Sequence, residues 1–234
     1  MGAVSGEKRV NIDDVDDATA GEGFYWKYES KLKTWDSELY SVVGAAGELF
    51  SIRTRLYEPV PADTILDDFM ISMLIASKGS RIVYEPLAYA TETGSENVDE
   101  ELKRKIRIAA GGIQSISRLP GLLNPFGNFV LSFQYISHRV LRWTVTPFFM
   151  MLALLLNLLI VVPPHAYIYT VLLVCQCAFY FLSLLGWVFE KRNLRVKAAF
   201  IPYYFCMMNY AVVAGIRRYM AGAQSAVWEK AKRK

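Results

Sequence analysis

The distribution of apolar and charged positions divides the chain into two parts. From Trp143 to Phe189, 47 consecutive residues include no Asp, Glu, Lys or Arg, whereas residues 1–142 mix charged and apolar positions throughout. One membrane span needs about 20 apolar residues, so the charge-free run is long enough for about two crossings. The pattern therefore predicts a water-facing part followed by membrane helices, and it excludes both a purely soluble protein and an entirely membrane-embedded one.

Three apolar segments within and after this run are predicted to cross the membrane. They cover residues 143–162, 166–189 and 198–216. A tight turn at Pro163-Pro164-His165 separates the first two, and a basic loop precedes the third. The third segment contains Pro202 and Asn209, so it is either a full span or a bent or re-entrant segment.

Two further stretches adjoin these segments. Residues 121–142 are predicted to form an amphipathic linker at the membrane surface, and residues 221–234 form a basic tail. If the water-facing part is cytoplasmic, three complete spans would place this tail outside, against the positive-inside tendency. The topology of the third segment therefore stays open.

Residues 1–120 combine strand-like and helix-like patterns, which predicts an α/β domain. A short strand at Ala3–Ser5 is followed by a polar loop, and a helix opens in the aromatic-rich stretch Phe24–Lys33. The stretch Ser41–Arg53 has strand character interrupted by a turn at its glycines.

Residues 66–91 give clearer signals. The sequence LDDFMISMLIASKG, residues 66–79, predicts a helix with acidic residues near its start and a glycine stop. Two short strands are predicted next, at Arg81–Tyr84 and Leu87–Thr91.

A second helix in this domain is predicted from a capping box. Asn97 and Glu100 have the required spacing, and an apolar rhythm follows them at helical intervals. Gly111 and Gly112 are expected to weaken or bend this helix.

Composition and charge narrow the function classes. The 234 residues are 53% hydrophobic and 21% charged, with a formal net charge of +4, which is too mild to indicate nucleic-acid binding. The basic residues gather beside the apolar segments, where they suit either lipid headgroups or an anionic lipid-linked substrate. All 3 cysteines lie in apolar stretches and the 2 histidines lack spaced partners, which excludes a disulfide scaffold and the usual zinc site.

Three stretches carry candidate chemistry. Asp67 and Asp68 either cap a helix and favour its dipole, or supply a general base that accepts a proton from an attacking hydroxyl. The basic stretch Lys103–Ile108 is either a solvated helix face or a phosphate-binding one. The segment Gly44–Gly47 is either a turn or a backbone surface that a substrate approaches closely.

Taken in order, these stretches resemble a known family. The sequences that carry the resemblance are GAVSGEKRV, YWKYE, GAAGELFSIR, ILDDF, YEPLAYATE, EELKRKIRI, SHRVLRW and VWEKAKRK. Together they resemble the later half of membrane-bound family 2 glycosyltransferases, the inverting enzymes that include cellulose, chitin and hyaluronan synthases and bacterial exopolysaccharide transferases. The resemblance implies an α/β fold: the acceptor-side half of a GT-A domain over residues 1–120, followed by transmembrane helices.

The resemblance also implies roles for individual residues. Asp68 matches the second position of the family's acidic pair and would be the catalytic base, while Asp67 would support its orientation or approach the acceptor. Gly44 and Gly47 match the small-residue region that lines the acceptor cleft.

The family's Gln-x-x-Arg-Trp motif aligns with residues 104–108. Arg107 matches the arginine beside the diphosphate leaving group, whereas Arg104 stands in place of the glutamine and Ile108 in place of the tryptophan. Since that tryptophan supports the acceptor end in processive synthases, the departure leaves processivity and acceptor type open.

A nucleotide-binding half with an Asp-x-Asp motif, which holds Mg²⁺ or Mn²⁺ in the full-length family, is expected to be missing here. Asp14-Val15-Asp16 has the spacing but follows GAVSG, whereas the family motif precedes it, so we interpret it as an acidic surface loop. No metal ligand is therefore assigned in this chain. The sequence is expected to be a truncated product, a chain with a misassigned start or one half of a split enzyme.

The leading hypothesis is a fragment of an inverting glycosyltransferase that transfers a sugar from a nucleotide-sugar, expected to be a UDP-sugar, to a glycan or lipid-linked acceptor. It would be a multi-pass protein of the bacterial inner membrane with its catalytic part cytoplasmic. Polysaccharide-export proteins or a separate nucleotide-binding half would be its partners, and no nucleic acid is expected. The alternative is a non-catalytic membrane scaffold or pseudoenzyme remnant; a small transporter is disfavoured because the spans lack ionisable residues at mid-depth.

Overall fold

The computed structural model describes residues 1–11, 17–93, 97–161, 167–192, 194, 196–223 and 225. The predicted acidic loop at Asp14–Asp16, the turn at Pro163–His165 and most of the basic tail lie outside the described residues. The described part confirms the α/β fold class, because a mixed sheet with packed helices precedes long apolar helices.

A three-stranded sheet organises the water-facing part. Strand β1 (Ala3–Asn11) is central, β2 (Phe50–Ile52) pairs with it antiparallel, and β3 (Ile82–Thr93) pairs with it parallel. β1 extends well beyond the predicted strand at Ala3–Ser5, because its pairing with β3 continues to Asn11.

The two predicted short strands after residue 80 form the single strand β3 with a break in register. Gly6 lies opposite Glu85, whereas the next residue, Glu7, lies opposite Tyr89. Pro86 lies in this irregular stretch, where the absence of a proline N–H costs no ladder hydrogen bond. The extra residues of β3 are therefore not paired with β1, and the pairing resumes after them within the same strand.

Helix α1 (Asp17–Leu39) corrects the prediction that a polar loop extends to residue 24. The helix packs against β1 and β3. Its buried positions include Glu29 and Lys33, which are 1% and 5% exposed. Because this buried face carries charged side chains, apolar periodicity did not reveal its full length.

Residues 41–49 also differ from the predicted strand. Only Phe50–Ile52 of the stretch is a strand, and the preceding residues form an irregular connection in the core. Val42 and Val43 are both 0% exposed, so their apolar pattern reflects burial of an irregular segment.

Two predicted helices are confirmed. Helix α2 spans Asp67–Ser77, and helix α3 spans Val98–Arg118. The Asn97 side chain caps α3 by accepting a hydrogen bond from the Glu100 N–H at 2.9 Å.

Helix α3 continues through its glycine pair to Arg118, so these glycines do not end the helix. The structure shows a packing role for one of them. A Cβ added at Gly112 would come within 2.5 Å of the Trp143 ring. The missing side chain thus allows Trp143 to pack directly on the helix backbone.

The predicted surface linker has one face in the domain core. It comprises α4 (Phe129–Tyr135), a π-helical turn (Ile136–Val140) and α5 (Leu141–Thr144). Within α4, Tyr135 is 0% exposed, whereas Phe133 is 56% exposed. Helical winding separates these two faces, so the outer face alone remains available to the membrane surface.

Three apolar helices follow, namely α6 (Thr146–Ile160), α7 (Tyr167–Lys191) and α8 (Lys197–Met220). In the described residues α7 and α8 are long and apolar enough to cross a membrane, and a third span results only if α6 and the bent segment before it count together. α6 has 15 residues and is bent by 67° from the segment Phe129–Thr144. By itself it is shorter than the predicted span at 143–162.

Helix α8 continues through Pro202 and packs along α3. Its buried side chains include Phe200, Tyr204 and Met207, which cluster with Val98 at the start of α3. One face of this apolar helix therefore forms part of the water-facing domain, which local hydropathy does not indicate.

Candidate active site

A cavity of about 1390 Å³ is lined by both the water-facing domain and α8. Its wall includes α1, the irregular stretch before β2, the first turn of α2 and one face of α3. The charged side chains on the wall are Glu29, Lys33, Asp36, Glu48, Asp67, Asp68, Glu92, Arg104, Lys105, Arg139, Arg142 and Lys197. A space of this size and charge is suited to a polar ligand larger than a single sugar.

Helix α2 places Asp67 and Asp68 in its first turn at this wall. Asp67 is exposed, and its Oδ1 accepts a hydrogen bond from the Asp68 N–H at 3.0 Å. Asp68 is half-buried, and its Oδ1 accepts from the Phe69 N–H at 2.7 Å. Leu66 occupies the N-cap position, so these carboxylates favour the helix dipole without capping the helix.

The carboxyl of Asp68 has a raised pKa in this site. Burial, together with the charges of Asp67 and Glu48, raises the pKa of Asp68 to about 6, although the Phe69 N–H and Lys33 oppose the rise. A carboxyl with this pKa is mostly ionised at pH 7 yet accepts a proton readily. These are the properties of a general base.

The glycine segment packs over the start of α2. Gly44 has φ +87°, and a Cβ there would come within 2.3 Å of the Phe69 ring. Gly47 lines the cavity, and a Cβ there would come within 2.7 Å of Asp68 Oδ2. Gly44 does not belong to the described cavity lining, so only Gly47 keeps space free at the carboxylate itself.

One face of α3 supplies cations to the cavity. Arg104 lines it and makes two hydrogen bonds of 2.8 Å to the carboxylate of Glu101, which is 1% exposed. Lys105 also lines the cavity and lies 3.4 Å from Glu101. Arg107 is not part of the described lining, so the structure places Arg104, but not Arg107, on the wall of the cavity that the acidic pair also lines.

Sequence reasoning missed a buried lysine in the cavity. Lys33 of α1 is 5% exposed. Burial, together with the charge of Arg139, lowers the pKa of Lys33 to about 8, although Glu29, Glu48 and Asp68 oppose the shift. The available signal was the pair of charged residues at positions 29 and 33, four apart in an aromatic-rich helix.

A second missed feature is an ion-pair network around Glu29. Glu29 lies 2.6 Å from Arg139 and 3.0 Å from Arg142, and His138 lies 3.3 Å away. Although burial by itself raises the pKa of Glu29, Arg139, Arg142 and His138 together hold it well below its usual range. Arg139 and Arg142, which belong to the basic residues beside the apolar segments, therefore neutralise a carboxylate inside the domain.

The described residues do not fit a divalent metal. No group of three or more His, Cys, Asp or Glu side chains among them is arranged to hold one. Glu48 and Glu92 lie together, but the ammonium of Lys8 bridges them. We therefore derive no step that depends on a metal.

The fold is similar to that of a known transferase. The mannosyltransferase PcManGT from Pyrobaculum calidifontis, in a complex with GDP-Man and Mn²⁺, matches with a TM-score of 0.58 and 17% sequence identity. The alignment covers 95% of this chain and 55% of PcManGT, so the chain spans about half the length of that protein. The water-facing domain is thus of the GT-A type, within a chain that also carries apolar helices.

The sequence comparison identifies the family. The model of glycosyl transferase family group 2 matches residues 23–185, more than half of the chain, and the chain belongs to this family. This confirms the resemblance to family 2 glycosyltransferases that the sequence indicated. No curated protein matches the chain.

Proposed function

We propose that this chain is the acceptor-side and membrane-anchoring part of an inverting glycosyltransferase with Asp68 as its catalytic base. The observation that carries the proposal is the placement of Asp68. Its half-buried carboxylate lines a cavity shared with the cations of α3, and its pKa is raised to about 6. Membership of family group 2 and the GT-A type fold support the same reaction class.

In the proposed reaction, Asp68 takes the proton of an acceptor hydroxyl. The acceptor oxygen forms a bond to the anomeric carbon of a nucleotide-sugar as the bond from that carbon to the diphosphate oxygen breaks. The nucleoside diphosphate leaves on the opposite side, which inverts the anomeric configuration. Asp67, exposed beside Asp68, would orient the acceptor.

The charge that develops on the leaving diphosphate requires nearby cations. Arg104 and Lys105 lie on the cavity wall and are held by Glu101, so we assign this contact to them. Arg107 matches the family arginine in sequence but is not among the described lining residues, so we give it no direct contact. Gly47 leaves Asp68 Oδ2 accessible to the acceptor.

The remaining assignments extend the resemblance to membrane-bound family 2 glycosyltransferases and belong to the same proposal. The donor would be a UDP-sugar, and the acceptor a glycan or a lipid-linked sugar in envelope or extracellular polysaccharide synthesis. Mg²⁺ or Mn²⁺ would act with ligands that we do not assign to this chain. The protein would be multi-pass in the bacterial inner membrane with its cavity on the cytoplasmic side, and export proteins or a separate nucleotide-binding half would be its partners.

The test compares Asp68→Asn with Asp67→Asn, each replacing the wild-type protein in membranes of the native host, where any separate nucleotide-binding half is also present. Radiolabelled UDP-glucose, UDP-N-acetylglucosamine and GDP-mannose are supplied, and label transferred to the lipid and polymer fractions is counted. We expect Asp68→Asn to reduce transfer by at least about 10²-fold and Asp67→Asn to reduce it less. Near-normal transfer by a folded Asp68→Asn variant would contradict the assigned base, and an inactive wild type would favour a non-catalytic scaffold.

A further inference from the structure

Lys33 carries a buried charge without a bound counter-ion. It is 5% exposed and lines the cavity. Within the part of the chain that the structure describes, no carboxylate lies within ion-pair distance of its ammonium and no acceptor within hydrogen-bond distance. Removing an ammonium group from water without such a partner is costly, and an anionic ligand would offset the cost.

The other cations deep in the cavity are already matched. Four of them have carboxylate partners, namely Arg104, Lys105, Arg139 and Arg142. Glu101 holds the first two and Glu29 holds the last two. Lys33 therefore differs from these four cations: Glu29, Glu48 and Asp68 act on it only through longer-range Coulomb interactions, so its ammonium is the one left to contact an incoming anion among the described residues deep in the cavity.

Lys33 shares the cavity with the proposed base. The positive charge of Lys33 and the negative charge of Asp68 stabilise each other. A ligand whose anionic group binds Lys33 would thus carry its adjoining atoms toward Asp68.

Helix α8 contributes a largely apolar wall to the cavity. The lining residues on this helix are apolar at Phe200, Ile201, Phe205, Met208 and Val212 and polar at Lys197, Tyr204 and Asn209. Ile201 and Phe205 are 56% and 47% exposed, and α8 is long and apolar enough to cross a membrane. The cavity therefore has charged side chains on one part of its wall and an apolar surface suited to a hydrocarbon chain on another.

We propose that Lys33 binds the phosphate of a lipid-linked sugar phosphate, with the hydrocarbon chain of this ligand along α8. The sugar would lie toward Asp68. This inference rests on the proposed function and names its acceptor class. Inorganic phosphate is an anion like this ligand but lacks its hydrocarbon chain. The donor diphosphate also lacks a hydrocarbon chain, and we expect it to bind at a different place in the cavity.

The test measures binding and does not require transfer. The full chain, purified in dodecyl maltoside micelles, is titrated with farnesyl phosphate, farnesol, inorganic phosphate and UDP. We expect farnesyl phosphate to bind more tightly than the other three. Lys33→Met should weaken the binding of farnesyl phosphate about tenfold or more, since a charge-assisted contact is lost. It should leave the affinity for farnesol unchanged.

Lys31→Met is the matched control, because Lys31 lies on the same helix with an exposed side chain. It should leave every affinity unchanged, and Lys33→Arg should recover part of the lost binding. An unchanged affinity for farnesyl phosphate in Lys33→Met would overturn the proposal. So would equal binding of inorganic phosphate, or a loss confined to UDP, which would assign Lys33 to the donor.

The wild type provides a second measurement that needs no variant. The groups that face Lys33 are Glu29, Glu48, Asp68 and Arg139, and burial lowers the pKa of Lys33 to about 8. A phosphate monoester, with its second pKa near 6, carries nearly the same charge at pH 7 and pH 9, and its small increase in negative charge would favour binding at the higher pH. Affinity for farnesyl phosphate should therefore fall between these values while that for farnesol does not; a constant affinity would overturn the proposal.

Binding and catalysis can fail separately. Loss of transfer in Asp68→Asn with no effect of Lys33→Met on farnesyl phosphate would retain the proposed reaction and reject the acceptor subsite. Lys33-dependent binding of farnesyl phosphate together with normal transfer by Asp68→Asn would retain the acceptor subsite and reject the proposed reaction.

Discussion

Gly47 lies directly against the carboxylate of Asp68. A Cβ added at position 47 would come within 2.7 Å of Asp68 Oδ2 and 3.2 Å of its Cγ. The segment before β2 and the first turn of α2 are therefore closely packed at the proposed base. The absence of one side chain keeps this oxygen open to the cavity.

Gly47→Ala should therefore reduce transfer with little loss of stability. The added methyl group displaces the Asp68 carboxylate or blocks the acceptor, and a misplacement of about 1 Å can cost about 10²-fold in rate. Transfer rate and thermal unfolding are measured together. Gly127→Ala is the control, because its Cβ would meet only an ordinary contact at 3.8 Å, and a fully active Gly47→Ala variant would show that this space is unimportant.

The pH dependence of transfer should follow Asp68. Because its pKa is raised to about 6, the carboxyl is protonated below that value, and kcat/KM should rise as pH increases through about 6. Asp67 and Glu48 raise this pKa and Lys33 lowers it, so Lys33→Met should move the midpoint to higher pH. An unchanged midpoint in Lys33→Met, relative to the wild type and Lys31→Met, would contradict the coupling.

Glu29→Gln should destabilise the domain. The substitution leaves Arg139 and Arg142 without their shared carboxylate in a buried setting, and breaking such a pair costs about 3–5 kcal/mol. Urea unfolding in detergent measures the loss. Glu38→Gln, at an exposed position of the same helix, should change stability by less than about 0.5 kcal/mol; equal stability of the two variants would show that the network is dispensable.

Gly112→Ala should also destabilise the fold, for a steric reason. Its Cβ would come within 2.5 Å of the Trp143 ring, and overpacking of this kind costs about 1–3 kcal/mol. Gly121→Ala has nothing within 4 Å of the added atom and should be neutral. A melting temperature for Gly112→Ala equal to that of Gly121→Ala would mean that Trp143 moves aside freely.

Much of the site was visible in local sequence. The acidic pair could be predicted because carboxylates followed by an apolar stretch mark a helix start, and α2 begins at Asp67. Asn97 could be predicted as a cap from its spacing to Glu100. The basic stretch on α3 was visible too, although its alignment with the family motif favoured Arg107 over the cavity-lining Arg104.

The buried charges could not be predicted in the same way. Glu29 and Lys33 resemble solvated residues in a polar helix, and the arginines before the apolar run resemble membrane-surface residues. The burial of Glu29 depends on partners more than 100 positions away, such as Arg142. Local hydropathy contains no information on such pairings.

Periodicity, caps and apolar length along the chain determine the α/β pattern of the water-facing domain, the start of α2 and the presence of membrane-type helices, because these depend on neighbouring residues. Only tertiary packing decides that α8 lies along α3 and forms one wall of the cavity. It alone also decides that Lys33 faces Asp68 while Arg139 and Arg142 neutralise Glu29. Burial and Coulomb interactions act through space, and the elements that bring these charges together are far apart in sequence.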